Sequence, residues 1–98
     1  MDLEFTGQVW FWRGPSPFHF VTVPEHNCDE LADVAGEVSY GWGMIPAAAR
    51  IGRTTWTTSL FPKDGGYIVP IKDKVRRAEG IEVGDPVTVV LTVDARPG

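Results

Sequence analysis

The chain has 98 residues, 43% of them hydrophobic, with four Trp, five Phe and two Tyr, enough for one core in one domain near the lower size limit for unstapled folding. Its single cysteine, Cys28, excludes an internal disulfide framework and a multi-cysteine metal site, and no apolar run approaches the roughly 20 residues of a membrane span. The formal charge of −4 is uneven: seven acidic residues against Arg13 in residues 1–49 (−6), six against eight basic in residues 50–98 (+2), a split that argues against a general polyanion binder.

In chain order, "LEFTGQVWF" alternates as a strand, with Leu3, Phe5, Val9 and Phe11 on one face and Glu4, Thr6 and Gln8 on the other. Trp10 and Trp12 then join the polar face. "FHFVTV" is a second strand, closed by Pro24. "NCDELADVAG" reads as a helix over about 27–35, with Asn27 as cap, Glu30 completing a capping box and Gly36 as stop. Cys28, Leu31 and Val34 or Ala35 share its core-facing side. "MIPAAARIGRTTWTTSLF" is a hairpin turning at Gly52-Arg53, a pair that suits a type II′ turn and sets Ile51 near Thr54.

"KDGG" is a further turn into a strand over residues 67–71 that contains Pro70. "KDKVRRAEG" is a short helix over about 72–79, Val75 and Ala78 inward and Gly80 its stop. "EVGD" turns the chain into "PVTVVLTVD", where Val87, Val89, Leu91 and Val93 alternate with Thr88, Val90 and Thr92. Residues 1–94 form one domain in this reading, with 95–98 as a frayed tail. Six or seven strands and two short helices, with an aromatic-led strand and helix occurring twice, predict a mainly β, pseudo-twofold barrel.

The stretch "GYIVPIKDKVRRAEGIEVGDPVTVVL" resembles the swapped-hairpin unit of AbrB-type regulators through Pro70, Lys74, Arg76, Arg77, Gly80, Ile81, Gly84 and Asp85. A fuller likeness runs from Phe5 to Asp94 through "FVTVP", "TSLFPKDGG", "VPIKDKVRRAEG" and "VGDPVTVVL". It is to a bacterial domain-of-unknown-function family, number nineteen-oh-five in that series. The resemblance implies a double-split β-barrel built from one chain, and no assigned activity.

Three groups of residues are candidate sites. Trp42, Arg50, Arg53, Trp56 and Lys63 combine tryptophan and basic groups, a composition suited to anionic or aromatic ligands; the plain alternative is a core Trp56 beside exposed arginines. The run Ala47-Ala48-Ala49 leaves volume for either a tryptophan or a ligand. Lys72, Lys74, Arg76 and Arg77 can meet phosphates, as the AbrB likeness implies, or form a solvated helix face favoured by the helix dipole. The matching helix of the other repeat, "EHNCDELAD", is acidic and would repel a duplex. Trp10 and Trp12, if uncovered, make a protein-contact patch.

His19 and His26 have no metal-ligand spacing with Cys28, and no nucleophile motif, GxGxxG or Walker loop occurs. No cofactor, metal or catalytic residue is expected. The N-terminus "MDLEFTGQV" lacks the pattern of a signal peptide, so a cytoplasmic module is expected, monomeric or weakly homodimeric, for a small anionic or aromatic ligand or a protein partner. The alternatives are a DNA-binding regulator and a small enzyme of unknown reaction.

Overall fold

The computed structural model describes residues 2–14, 18–38 and 43–93, apart from the side chains of 35, 37 and 38. The expected tail lies outside the described residues. The elements are β1 (Asp2–Trp12), β2 (Phe18–Thr22), α1 (Glu25–Val38), β3 (Ile45–Ile51), β4 (Thr54–Lys63), β5 (Gly66–Ile71), α2 (Asp73–Glu79) and β6 (Pro86–Thr92). The strands close in the order β1-β2-β5-β4-β3-β6, every pair antiparallel. Exchanging β1, β2, β3 for β4, β5, β6 leaves this ring unchanged, so the expected pseudo-twofold is present. Among the described residues no helix is long and apolar enough to cross a membrane.

The ring is split twice. β1 pairs with β6 through residues 2–8 and with β2 through residues 9–12. β4 pairs with β3 through residues 54–60 and with β5 through residues 61–63. At the first split the turn before β6 steps in: the Val9 N–H donates to the Asp85 carbonyl at 2.9 Å, and Gly84 N–H to the Val9 carbonyl at 2.7 Å.

At the second split Trp56 bridges the gap, its indole N–H reaching the Pro70 carbonyl at 3.2 Å. This contact explains a proline inside a strand. A strand residue carries its N–H and C=O on the same edge, and the Pro70 carbonyl faces β4. The donor that proline lacks would therefore have pointed into the split, where β4 has already turned to β3.

The interior follows the alternation read from the sequence. Val87, Val89, Leu91 and Val93 are buried on one face of β6 and its exit, with Leu3, Phe5 and Val9 opposite on β1. Ala47 and Ala49 face inward as well, and Ala49 lies opposite the buried Trp56. The volume left by the alanines is thus filled by an indole. Each fully buried aliphatic side chain contributes roughly 1.5–3 kcal/mol.

The hairpin turn holds as expected, with Ile51 opposite Thr54 and Gly52 at φ 58. Asp64 and Gly65, both at positive φ, make the type I′ turn that Asp-Gly favours. α2 ends at Gly80, φ 64, with the Gly80 N–H on the Arg77 carbonyl and the Ile81 N–H on the Arg76 carbonyl. That pair of bonds is the Schellman closure.

Three expectations need correcting. α1 begins at Glu25 and runs through Gly36 to Val38; Asn27 is not its cap but a buried residue of its first turn, its N–H on the Pro24 carbonyl at 2.9 Å. Proline ends β2 and supplies the first helical acceptor itself, so no side-chain cap is needed. Ala78 is exposed, because a two-turn helix presents only Val75 to the core before Ile81 completes the contact. Phe11 has the inward parity but is 39% exposed, since that end of β1 runs past the filled interior. Leu31 is buried in the core as expected, and Cys28 and Val34 pack against it.

Candidate functional site

The basic and tryptophan side chains of β3 and β4 are not gathered into one site. Trp56 faces the interior; Arg50 faces outward on the neighbouring strand and donates to the Gly52 carbonyl at 2.9 Å. Arg53 is at the exposed hairpin tip. The tip is held by Glu79 of α2, which accepts from the Thr54 hydroxyl at 2.6 Å and the Arg53 backbone N–H at 3.4 Å. Lys63 sits at the other end of β4, about 30 Å away at strand rise. Trp42 lies outside the described residues.

The basic residues of α2 divide. Lys74 and Arg77 are exposed. Arg76 is engaged locally, 3.5 Å from the Asp73 carboxylate and donating to the Ile81 carbonyl at 3.4 Å. It therefore braces the end of its own helix.

Trp10 and Trp12 stand on the outer face of β1, and strand register gives each an aromatic partner on β2: Trp10 opposite Phe20, Trp12 opposite Phe18. Phe20 in turn lies opposite Pro70, and Ile68 lies between Thr22 and Phe61. The rings touch in series. Trp10 and Phe20 centroids are 5.1 Å apart, Phe18 and Phe20 6.0 Å, Phe20 and Phe61 6.3 Å, all within the range of favourable offset or tilted aromatic contacts. Phe20 is only 2% exposed although it points away from the barrel. A second apolar layer has been built on the outside.

Trp10 is fixed in that layer by donating its indole N–H to the Thr22 hydroxyl at 2.9 Å. Trp12 and Phe18 remain 47% and 44% exposed. Between them and Phe61, Pro62 and Ile68 runs a groove of about 350 Å³, with Lys63 at its rim. At Phe18 and Phe61 it meets a smaller hollow of about 180 Å³, edged by Pro70, Ile71 and Lys72. At Lys63 and Ile68 it adjoins a third hollow of about 420 Å³ that includes Glu25, Cys28 and Asp64. Lys63 is 3.4 Å from Asp64, both well exposed, a pairing of small worth in water.

On the inner side of the same strands His19 meets the Phe11 ring edge-on at 4.9 Å. Burial lowers its pKa below 6.5, helped by the Arg76 guanidinium and opposed by the Asp73 carboxylate.

The sequence singled out Trp10 and Trp12 as one patch and Lys63 in another group, and did not single out Phe18, Phe20 and Phe61. The available signal was parity: Phe18 and Phe20 alternate with His19 and Val21 just as Trp10 and Trp12 alternate with Val9 and Phe11. What was missing was the pairing that sets the two aromatic ranks against one another and adds Phe61 from β4.

A family model described as "Domain of unknown function (DUF1905)" matches residues 5–91, and the chain belongs to that family. No curated protein matches it.

Proposed function

We propose that this chain is a binding module whose site is the aromatic outer face of β1, β2, β5 and β4, and that it takes a ligand joining an apolar body to a negative charge. The observation that carries this reading is the second apolar layer itself, in which Trp12 and Phe18 stay nearly half exposed above a buried Phe20. Contiguous exposed aromatics are unfavourable in water and mark a surface kept for contact. The groove's volume is at the small end for ligand sites. Lys63 supplies the charge preference, and an ammonium beside indole and phenyl faces suits a flat anionic group.

The regulator reading draws less support. Arg76 is committed to α2, and the equivalent helix α1 exposes Glu25, Asp29, Glu30 and Asp33, which repel a phosphate backbone.

Anilinonaphthalene sulfonate, an aromatic anion that fluoresces on leaving water, is the probe. It is expected to bind the folded protein, and Trp12→Ala should weaken it about tenfold, the loss of one good aromatic contact. Equal dye binding by a folded Trp12→Ala protein overturns the assignment. Salt-sensitive duplex DNA binding lost in Lys74→Ala/Arg77→Ala would instead restore the regulator.

A further inference from the structure

We infer that the occupant of the aromatic face is an extended segment of a partner protein, apolar through about six residues and acidic at both ends. This rests on the binding reading above and names its ligand. The first argument is length. The groove and the smaller hollow share Phe18 and Phe61, so they form one cleft along the outside of β5. Lys63 stands at one end, opposite Gly66 in the register, and Lys72 at the other, directly after Ile71. From Gly66 to Lys72 is six strand steps, about 20 Å. An extended peptide rises by nearly the same amount per residue, so acids flanking six apolar residues, seven steps apart, match the span to within the reach of a lysine side chain. A single-ring acid reaches one.

The second argument is the form of the surface. β2 and β5 spend their backbone groups on one another and on β1 and β4, so a peptide here is read through side chains, not added as a strand. Trp12 and Phe18, each nearly half exposed, wall this furrow on the β1 and β2 side, with the buried Phe20 beneath. Extended, proline-containing segments seat in such furrows at low entropic cost.

The third argument is charge. A second copy of this chain, placed face to face about a twofold axis through the cleft, would bring Lys63 of one copy toward Lys72 of the other. Asp64 beside Lys63 is well exposed and holds it only weakly, so the two lysines still disfavour self-pairing and favour an acidic partner.

The probe is a fluorescein-labelled synthetic peptide of six apolar residues, proline among them, with an acidic residue at each end, followed by anisotropy. It should bind, displace anilinonaphthalene sulfonate, and outcompete the same peptide with lysine ends by about tenfold. Lys63→Glu and Lys72→Glu should each weaken it about fivefold, as for partly exposed ion pairs, and together about twenty-fivefold, being far enough apart to add. The double variant should gain affinity for the lysine-ended peptide, a reversal that a merely damaged fold cannot produce. If the protein binds the dye at Trp12 but treats all peptides alike, the peptide inference falls and the binding reading stands. If the dye binds elsewhere or not at all, the reading beneath it falls. Sedimentation showing a dimer whose formation blocks the dye would put a second copy on the face and overturn the inference.

Discussion

The two half-sheets of this barrel share strands β1 and β4, are each four antiparallel strands wide and each mapped onto itself by the pseudo-twofold, and differ on the outside. Across β1-β6-β3-β4 one outward row reads Glu4, Val90, Arg50, Thr55, and Thr6 and Thr88 exchange a hydroxyl hydrogen bond at 2.8 Å. Across β1-β2-β5 the corresponding row reads Trp10, Phe20, Pro70. The interiors beneath both are mainly aliphatic, with Phe5 and Trp56 among them. Since one half closes and packs with a small polar exterior, the aromatic exterior of the other is not a requirement of the fold. It is chemistry added to a scaffold, which is where function is sought.

The sharpest way to break that contrast is to truncate the centre of each face. Phe20→Ala should cost about 3–4 kcal/mol, the range for a buried phenyl ring replaced by a cavity. Thr88→Ala on the polar half should stay within about 0.5 kcal/mol. Urea midpoints measured side by side decide it. If the two variants unfold alike, the outer layer is a chance adjacency of rings and not a packed structure.

Strand alternation, turn chemistry and the repeated strand–helix unit made the barrel legible: the β6 face, the Gly52 turn and the Gly80 stop were all readable because each depends on neighbours in sequence. The site was less legible because it depends on register. Arg50, Arg53, Trp56 and Lys63 are close along the chain, yet a strand sends Trp56 inward and Arg50 outward and carries Lys63 to the far end. Phe61 reaches Phe20 only because β4 changes partners midway. Nothing local to either residue announces that change.

The helices repeat the lesson at smaller scale. The third residue of α2 is Val75, 2% exposed; the third of α1 is Asn27, 8% exposed, with its side-chain oxygen buried and without a hydrogen-bond partner among the described residues. An unsatisfied buried polar group costs about 1–3 kcal/mol. Giving α1 the side chain its counterpart uses, Asn27→Val, should therefore raise stability by about 1–2 kcal/mol, the two residues having similar helix propensity. A fall in the thermal midpoint would mean that the amide of Asn27 is satisfied in solution and that the two helices dock by different chemistry.

The smallest expected difference concerns acid. His19 lies under the aromatic half, against Phe11, and burial together with Arg76 lowers its pKa while Asp73 opposes. The folded protein therefore prefers the neutral imidazole, and the unfolded chain takes up the proton first as pH falls. The stability His19 contributes is fully present above its ordinary value of 6.5 and is lost as pH drops through the lower folded value. His19→Gln removes that proton uptake, so its urea midpoint should fall less than that of the unaltered protein between about pH 7 and about pH 5. Parallel losses in both proteins would mean that water reaches His19 freely. In that case the inner side of the aromatic strands is open at the Phe11 end, and the rings outside it shield nothing beneath them.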